Sequence, residues 1–212
     1  MKLAVLISGR GSNLAALIEA CRAEAFPAEI GLVISNRPDA AGLALAKQAG
    51  IATQIIDHKT FDDRASFDAA LDAALHASGA ELVVLAGFMR LLTDDFVNGW
   101  RGRMINIHPS LLPAFKGTDV HQRALDAGVK ITGCTVHFVT PEMDSGPIIA
   151  QAAVPVVAGD TSETLAARIL DAEHALYPHA IRLICDGRAS FDGTDHKKEA
   201  DTVCPPLISP SI

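Results

Sequence analysis

This sequence has no basic excess: 18 Lys and Arg stand against 25 Asp and Glu, a formal charge of −7. A nucleic-acid partner is therefore not expected, because clustered cations are needed to displace phosphate counterions. An anionic small molecule remains admissible, through a local site rather than a global field. The four cysteines, Cys21, Cys134, Cys185 and Cys204, form no C-x-x-C pair. That argues against a zinc site or redox motif and for reduced thiols in a cytoplasmic protein. No apolar run is long enough to span a membrane. The run over residues 1–7 breaks off at Ser8-Gly9-Arg10-Gly11, too short for a signal-peptide core. Aromatics are scarce, with one Trp, one Tyr and eight Phe, so Ala, Leu, Ile and Val must fill the core. At 212 residues and 49% apolar composition, the chain can bury one sizeable α/β domain.

Short apolar runs at residues 2–7, 30–34, 52–56, 81–85 and 104–107 read as strands, alternating with helical stretches at 12–25, 40–49 and 62–77. That alternation predicts a mostly parallel sheet built from right-handed crossovers. Residues 130–139 and 147–157 read as longer strands joined by an irregular loop, suited to an antiparallel edge. Residues 160–185 read as a long helix with an apolar stripe of Leu165, Ile169, Ala172 and Leu176. Asp160 and Glu163 fit a capping box at its start, and Pro178 is expected to kink or interrupt it. After Gly187 the chain turns polar and then proline-rich. This predicts a single domain over residues 1–188 and a poorly ordered tail over 189–212.

Ser8-Gly9-Arg10-Gly11-Ser12-Asn13 lies between the first strand and the first helix. Glycines let backbone approach a ligand, and a helix N-terminus offers unpaired N–H groups, so such a loop suits a phosphate. It is not a dinucleotide fingerprint: Leu14 stands where the third glycine would be, and Ser35-Asn36-Arg37 ends the second strand without a ribose-binding acid. A single phosphate gripped by Gly11, Ser12 and Asn13 fits better. The plainer alternative is that Ser12 or Asn13 caps the helix.

Asn106 and His108 end the fifth strand two residues apart, so both side chains point to one face at a strand's carboxyl end. An amide donor beside a donor that can carry a proton suits a developing oxyanion. Asp144, in the loop between the two long strands, could reach His108, favour the imidazolium and raise the histidine pKa. The plainer alternative makes His108 a strand-end histidine with a backbone partner and Asp144 a turn residue. A serine hydrolase using Ser110, His108 and Asp144 lacks the G-x-S-x-G elbow. A metal site using His108, His121, His137 and Asp144 lacks any local ligand pair such as H-E-x-x-H.

The segments Ile7-Ser8-Gly9-Arg10-Gly11-Ser12-Asn13-Leu14, Leu85-Ala86-Gly87-Phe88-Met89-Arg90 and Asn106-Ile107-His108-Pro109-Ser110-Leu111-Leu112-Pro113 together resemble the phosphoribosylglycinamide formyltransferase family. The resemblance continues through Gly133-Cys134-Thr135-Val136-His137-Phe138-Val139, Asp144-Ser145-Gly146-Pro147 and Glu173-His174-Ala175-Leu176-Tyr177-Pro178, to about Arg188. It implies a Rossmann-like, mostly parallel seven-stranded sheet with flanking helices and an antiparallel edge in the C-terminal half. It implies formyl transfer from 10-formyltetrahydrofolate to glycinamide ribonucleotide in purine synthesis, without a metal, in a monomer or homodimer. Asn106, His108 and Asp144 would be the catalytic trio. Gly11, Ser12 and Asn13 would hold the phosphate, with Leu170 and Glu173 on the ribose and glycinamide side. Arg64, Met89, Arg90, Leu91, Leu92, Asn106, Thr140, Pro141, Glu142, Met143 and Asp144 would line the folate pocket. For Met89, Leu91 and Leu92 the plainer alternative is core packing.

Three rivals share features of this pattern. Methionyl-tRNA formyltransferase resembles the domain but adds a C-terminal domain, and the acidic charge argues against a tRNA partner. Formyltetrahydrofolate deformylase uses water as acceptor and carries an extra N-terminal domain, whereas the glycine loop suits a phosphorylated acceptor. A non-catalytic folate- or nucleotide-binding module is disfavoured by the intact Asn106, His108 and Asp144.

Overall fold

The computed structural model describes residues 1–194. Its strands are β1 (Lys2–Ile7), β2 (Glu29–Ser35), β3 (Ala52–Ile55), β4 (Leu82–Leu85), β5 (Met104–His108), β6 (Ile131–Phe138) and β7 (Ile148–Pro155). They form one sheet in the order β3-β2-β1-β4-β5-β6-β7. The pairs from β3 through β5 are parallel, and β6 with β7 is antiparallel. The helices are α1 (Ser12–Arg22), α2 (Gly42–Gln48), α3 (Arg64–Ser78), α4 (Asp94–Gly99), α5 (Val120–Asp126) and α6 (Ser162–Cys185). The expected α/β architecture with an antiparallel edge is what forms.

The chain divides into two compact units. The first comprises residues 1–106 and 138–141. Its central strand, β1, buries Leu3 to Ile7 completely, as a parallel strand covered on both faces must. Helix α3 begins at Arg64 because the Asp63 side chain accepts the Ser66 N–H at 2.7 Å, and it ends at Gly79 in the left-handed region. Its Phe67, Leu71 and Leu75 face inward and join Ile34, Val83, Phe96, Trp100 and Met104 in the core. Trp100, fully buried, satisfies its indole N–H on Asp72 at 2.8 Å. The sequence reading contains no α4 and no α5. Helices of six and seven residues are too short for an apolar period to register.

The second unit comprises residues 107–137 and those from 142 onward. Here α6 packs against β7 and α5. Two expectations for α6 are corrected. The capping pair is Thr161 with Thr164, not Asp160 with Glu163. Asp160 is drawn away by a two-bond pairing with Arg168, both at 2.8 Å, and also accepts the Val157 N–H. The helix also runs unbroken through Pro178. A mid-helix proline costs about 3 kcal/mol, but Leu176, Tyr177, Ala180, Ile181 and Leu183 around it are all buried. Burial at about 1.5–3 kcal/mol for each large side chain outweighs that cost. Residues 189–194 form a short hairpin, β8 (Ala189–Ser190) with β9 (Gly193–Thr194). The tail expected to be poorly ordered lies otherwise at 195–212, outside the described residues.

Gly133 is dictated by space: a Cβ there would meet the Ala152 carbonyl oxygen at 1.9 Å and Leu111 at 3.0 Å. Gly133→Ala is expected to lose about 2–3 kcal/mol in urea unfolding. Gly99→Ala, where a Cβ meets nothing within 4 Å, is the neutral or stabilising control. The Arg168 guanidinium holds the Asp160 carboxyl well below its ordinary value. A lowered carboxyl pKa stabilises the fold above the unfolded value near about 4, and that stabilisation is lost as pH falls. Asp160→Asn is therefore expected to cost about 1.5–3 kcal/mol at pH 7, with the gap to wild type closing in acid melts.

Candidate active site

The first unit carries the glycine loop. Gly11 adopts φ 78°, and a Cβ on it would lie 2.7 Å from the Gly42 Cα, so only glycine permits the close approach of loop and α2. Gly11 itself occupies the N-cap of α1, and no side chain caps that helix. The capping alternative for Ser12 and Asn13 is thus not realised, and a helix N-terminus without a side-chain cap suits an anion. The loop borders a cavity of about 330 Å³ that also takes in Arg37, Ala86, Gly87 and Met89. Arg10 and Arg37 on its wall escaped the sequence reading. Arg10 sits inside the loop motif itself, and its cation was the signal available there.

The second unit carries His108, which is 5% exposed. Its Nε2 lies 2.9 Å from the Phe115 carbonyl oxygen, and its Nδ1 lies 3.5 Å from Asp144 Oδ2. The backbone partner and the carboxylate partner, posed as alternatives, are both present. The same Asp144 oxygen accepts the Gly117 N–H at 2.8 Å, and the other lies 3.8 Å from His137 Nε2. His137, weighed from sequence only as a metal ligand, therefore flanks the carboxylate on its far side. Asn106 precedes His108 by two positions on β5 and is half-buried.

The loops around this pair are held in costly backbone. Phe115, Asp119 and Asp144 are the non-glycine residues with positive φ among the described residues, each at roughly 1–3 kcal/mol. Arg123 on α5 donates to the Lys116 and Thr118 carbonyls, and Lys116 Nζ bonds the Ser145 hydroxyl. Ser110 donates its hydroxyl to the Ala114 carbonyl at 2.6 Å and is 1% exposed. It is not presented to His108 as a nucleophile. No group of three or more metal-ligating side chains occurs among the described residues. His121, on α5, has its pKa lowered by burial first and by His108 second.

Residues 1–181 match the formyl transferase family. The chain belongs to that family. It is 47% identical over 188 residues to the phosphoribosylglycinamide formyltransferase of Escherichia coli, covering 89% of each protein. It is 53% identical over 186 residues to the trifunctional purine biosynthetic protein adenosine-3 of Bos taurus. The chain spans about a fifth of the length of such trifunctional relatives, 18% in that case. The crystal structure of glycinamide ribonucleotide transformylase 1 from Symbiobacterium toebii superposes with a TM-score of 0.86 at 50% identity, over 89% of both chains.

The remaining candidate residues of this chain fall in distinct environments. Arg64 is exposed at the first turn of α3. Met89 and Leu91 are 72% and 57% exposed, so core packing is not their role. Leu92 does pack on the core. The Arg90 guanidinium lies 5.8 Å from the centre of the Phe67 ring. Pro141, Glu142 and Met143 are exposed, and Thr140 is half-buried. Glu173 is 6% exposed on α6, with Leu170 half-buried one turn before it.

Burial, with the Glu173 charge second, pushes the Cys134 thiol up to about 12 and holds Tyr177 well above its ordinary value. A thiol that stays protonated is a poor nucleophile. Iodoacetamide at pH 8 is expected to alkylate half-buried Cys21 and Cys185 in the native protein, leaving Cys134 unmodified until denaturant is added. Peptide mass mapping reads the outcome.

Proposed function

We propose that this chain transfers the formyl group of 10-formyltetrahydrofolate to the amine of glycinamide ribonucleotide, as a step of purine synthesis. The observation that carries the reading is the buried His108–Asp144 pair at the end of β5. The family, and the activity named for the Escherichia coli relative that matches along most of both lengths, support it.

In this mechanism the glycinamide amine attacks the formyl carbon and a tetrahedral intermediate forms. His108 Nε2 donates to the Phe115 carbonyl, which leaves Nδ1 as the nitrogen on the Asp144 side. At 3.5 Å from Asp144, Nδ1 is too far for a full hydrogen bond but near enough for the carboxylate to orient the ring. The imidazolium Nδ1–H and the Asn106 amide then donate to the oxyanion. Asp144, fixed by the Gly117 N–H, orders a water that carries the amine proton to the departing folate nitrogen. The intermediate collapses, the carbon–nitrogen bond to the folate breaks, and tetrahydrofolate leaves. No covalent enzyme adduct is needed. The uncapped start of α1, with Gly11, Ser12 and Asn13, takes the ribonucleotide phosphate. Glu173, with Leu170 beside it, takes the ribose and glycinamide side. Arg64, Met89 to Leu92 and Thr140 to Asp144 take the folate.

The test is an absorbance assay for tetrahydrofolate release, run with and without glycinamide ribonucleotide. Release only with the ribonucleotide is the expected result, and release without it would make water the acceptor and overturn the proposal. His108→Ala and Asp144→Ala are each expected to lower turnover at least about 100-fold with unchanged circular dichroism. Near-wild-type turnover in either variant removes the assigned role.

A further inference from the structure

Residues 86–93, between β4 and α4, have no regular secondary structure, yet they hold Met89 and Leu91 out in solvent. Apolar side chains on an unsupported segment gain by folding back onto the nearest core. Here two buried polar side chains hold the backbone against that collapse. Ser8 is 5% exposed. Its hydroxyl accepts the Met89 N–H at 2.7 Å and donates to Asn36 Oδ1 at 2.6 Å. Its own N–H donates to the Gly87 carbonyl at 3.1 Å. At the other end Asp68, 3% exposed, accepts the Thr93 N–H at 2.6 Å. The second Asp68 oxygen is buried and has no hydrogen-bond partner among the described residues. Such an oxygen is costly, and the single bond to Thr93 is what the carboxylate supplies in return.

We infer that Ser8 and Asp68 are positioning residues that clamp the two ends of the 87–93 backbone, so that its exposed apolar side chains stand ready as a wall for the flat ring system of the folate substrate. The inference rests on the formyl-transfer reading above. Preorganising a wall spares the ordering cost at binding, so the effect falls on affinity rather than on the chemical step. The two anchors also differ. Ser8 belongs to the glycine loop as well as to the clamp, whereas Asp68, on α3, bonds the clamp through the Thr93 N–H.

Steady-state kinetics and equilibrium dialysis with tetrahydrofolate on the full chain test this in Ser8→Ala, Asp68→Ala and Asp68→Asn. Asp68→Ala is expected to raise the folate KM and Kd roughly tenfold, with the ribonucleotide KM and kcat within about twofold of wild type. Ser8→Ala is expected to raise both KM values. Asp68→Asn restores folate affinity, because its amide oxygen still accepts the Thr93 N–H. Unchanged folate affinity in Ser8→Ala and Asp68→Ala, or a fall in kcat with both KM values intact, overturns the inference. If Asp68→Ala does not fold, Ser8→Ala decides alone by the same criterion. A wild-type protein that binds tetrahydrofolate without formyl transfer fails the functional reading, and dialysis of the variants still decides the clamp.

Discussion

One carboxylate organises the candidate site of the second unit. Asp144 stands between the imidazoles of His108 and His137 and also accepts the Gly117 N–H. A carboxylate largely removed from water needs polar neighbours in place of its hydration shell. Two histidines and a backbone donor supply them. Asp144 reaches this position only in left-handed backbone, at φ 49°. The loop therefore stores strain at the residue that carries these polar contacts. Lys116, bonded to Ser145, and Arg123, bonded to the carbonyls of 116 and 118, tie the flanking segments and hold that strain in place.

The first unit meets the same problem with different material. A β1 that is apolar and buried from Leu3 to Ile7 delivers the chain into a loop that must present backbone N–H groups without a side-chain cap. Gly11 against Gly42 brings the backbones close enough, and Ser8 turns one hydroxyl into a junction of three segments. Both the glycine loop and the Met89 segment follow the carboxyl ends of parallel strands. Parallel sheets place their binding crevices there, because all the connecting loops of one polarity emerge on that edge.

Local sequence pattern carries a given feature only when the physics behind it is local. The apolar runs of β1, β2 and β4 and the 3.6-residue stripes of α3 and α6 follow from burial of contiguous residues. Strand and helix identities there were readable without the fold. The Thr161–Thr164 cap and the unbroken α6 were not. Asp160 was drawn off by Arg168, and the proline cost was outweighed by packing around Tyr177. In both cases a tertiary contact overrode a local preference.

The candidate site divides along the same line. The glycine loop and the Asn106–His108 pair were visible because a turn and a two-residue strand period are encoded in neighbouring positions. The loop between the two long strands offered Asp144 and the motif resemblance added Glu173, but neither said how they are held. Only the folded chain brought His108, Asp144 and Gly117 together, turned His137 toward the same carboxylate, and set Ser8 and Asp68 on the Met89 segment. Apart from the His137–Asp144 approach, those contacts join residues 25 or more positions apart. Sequence by itself determined the α/β order, the strand-end chemistry and the glycine loop. Tertiary structure decided which polar atoms meet, since hydrogen bonds and ion pairs depend on distances that no local pattern records.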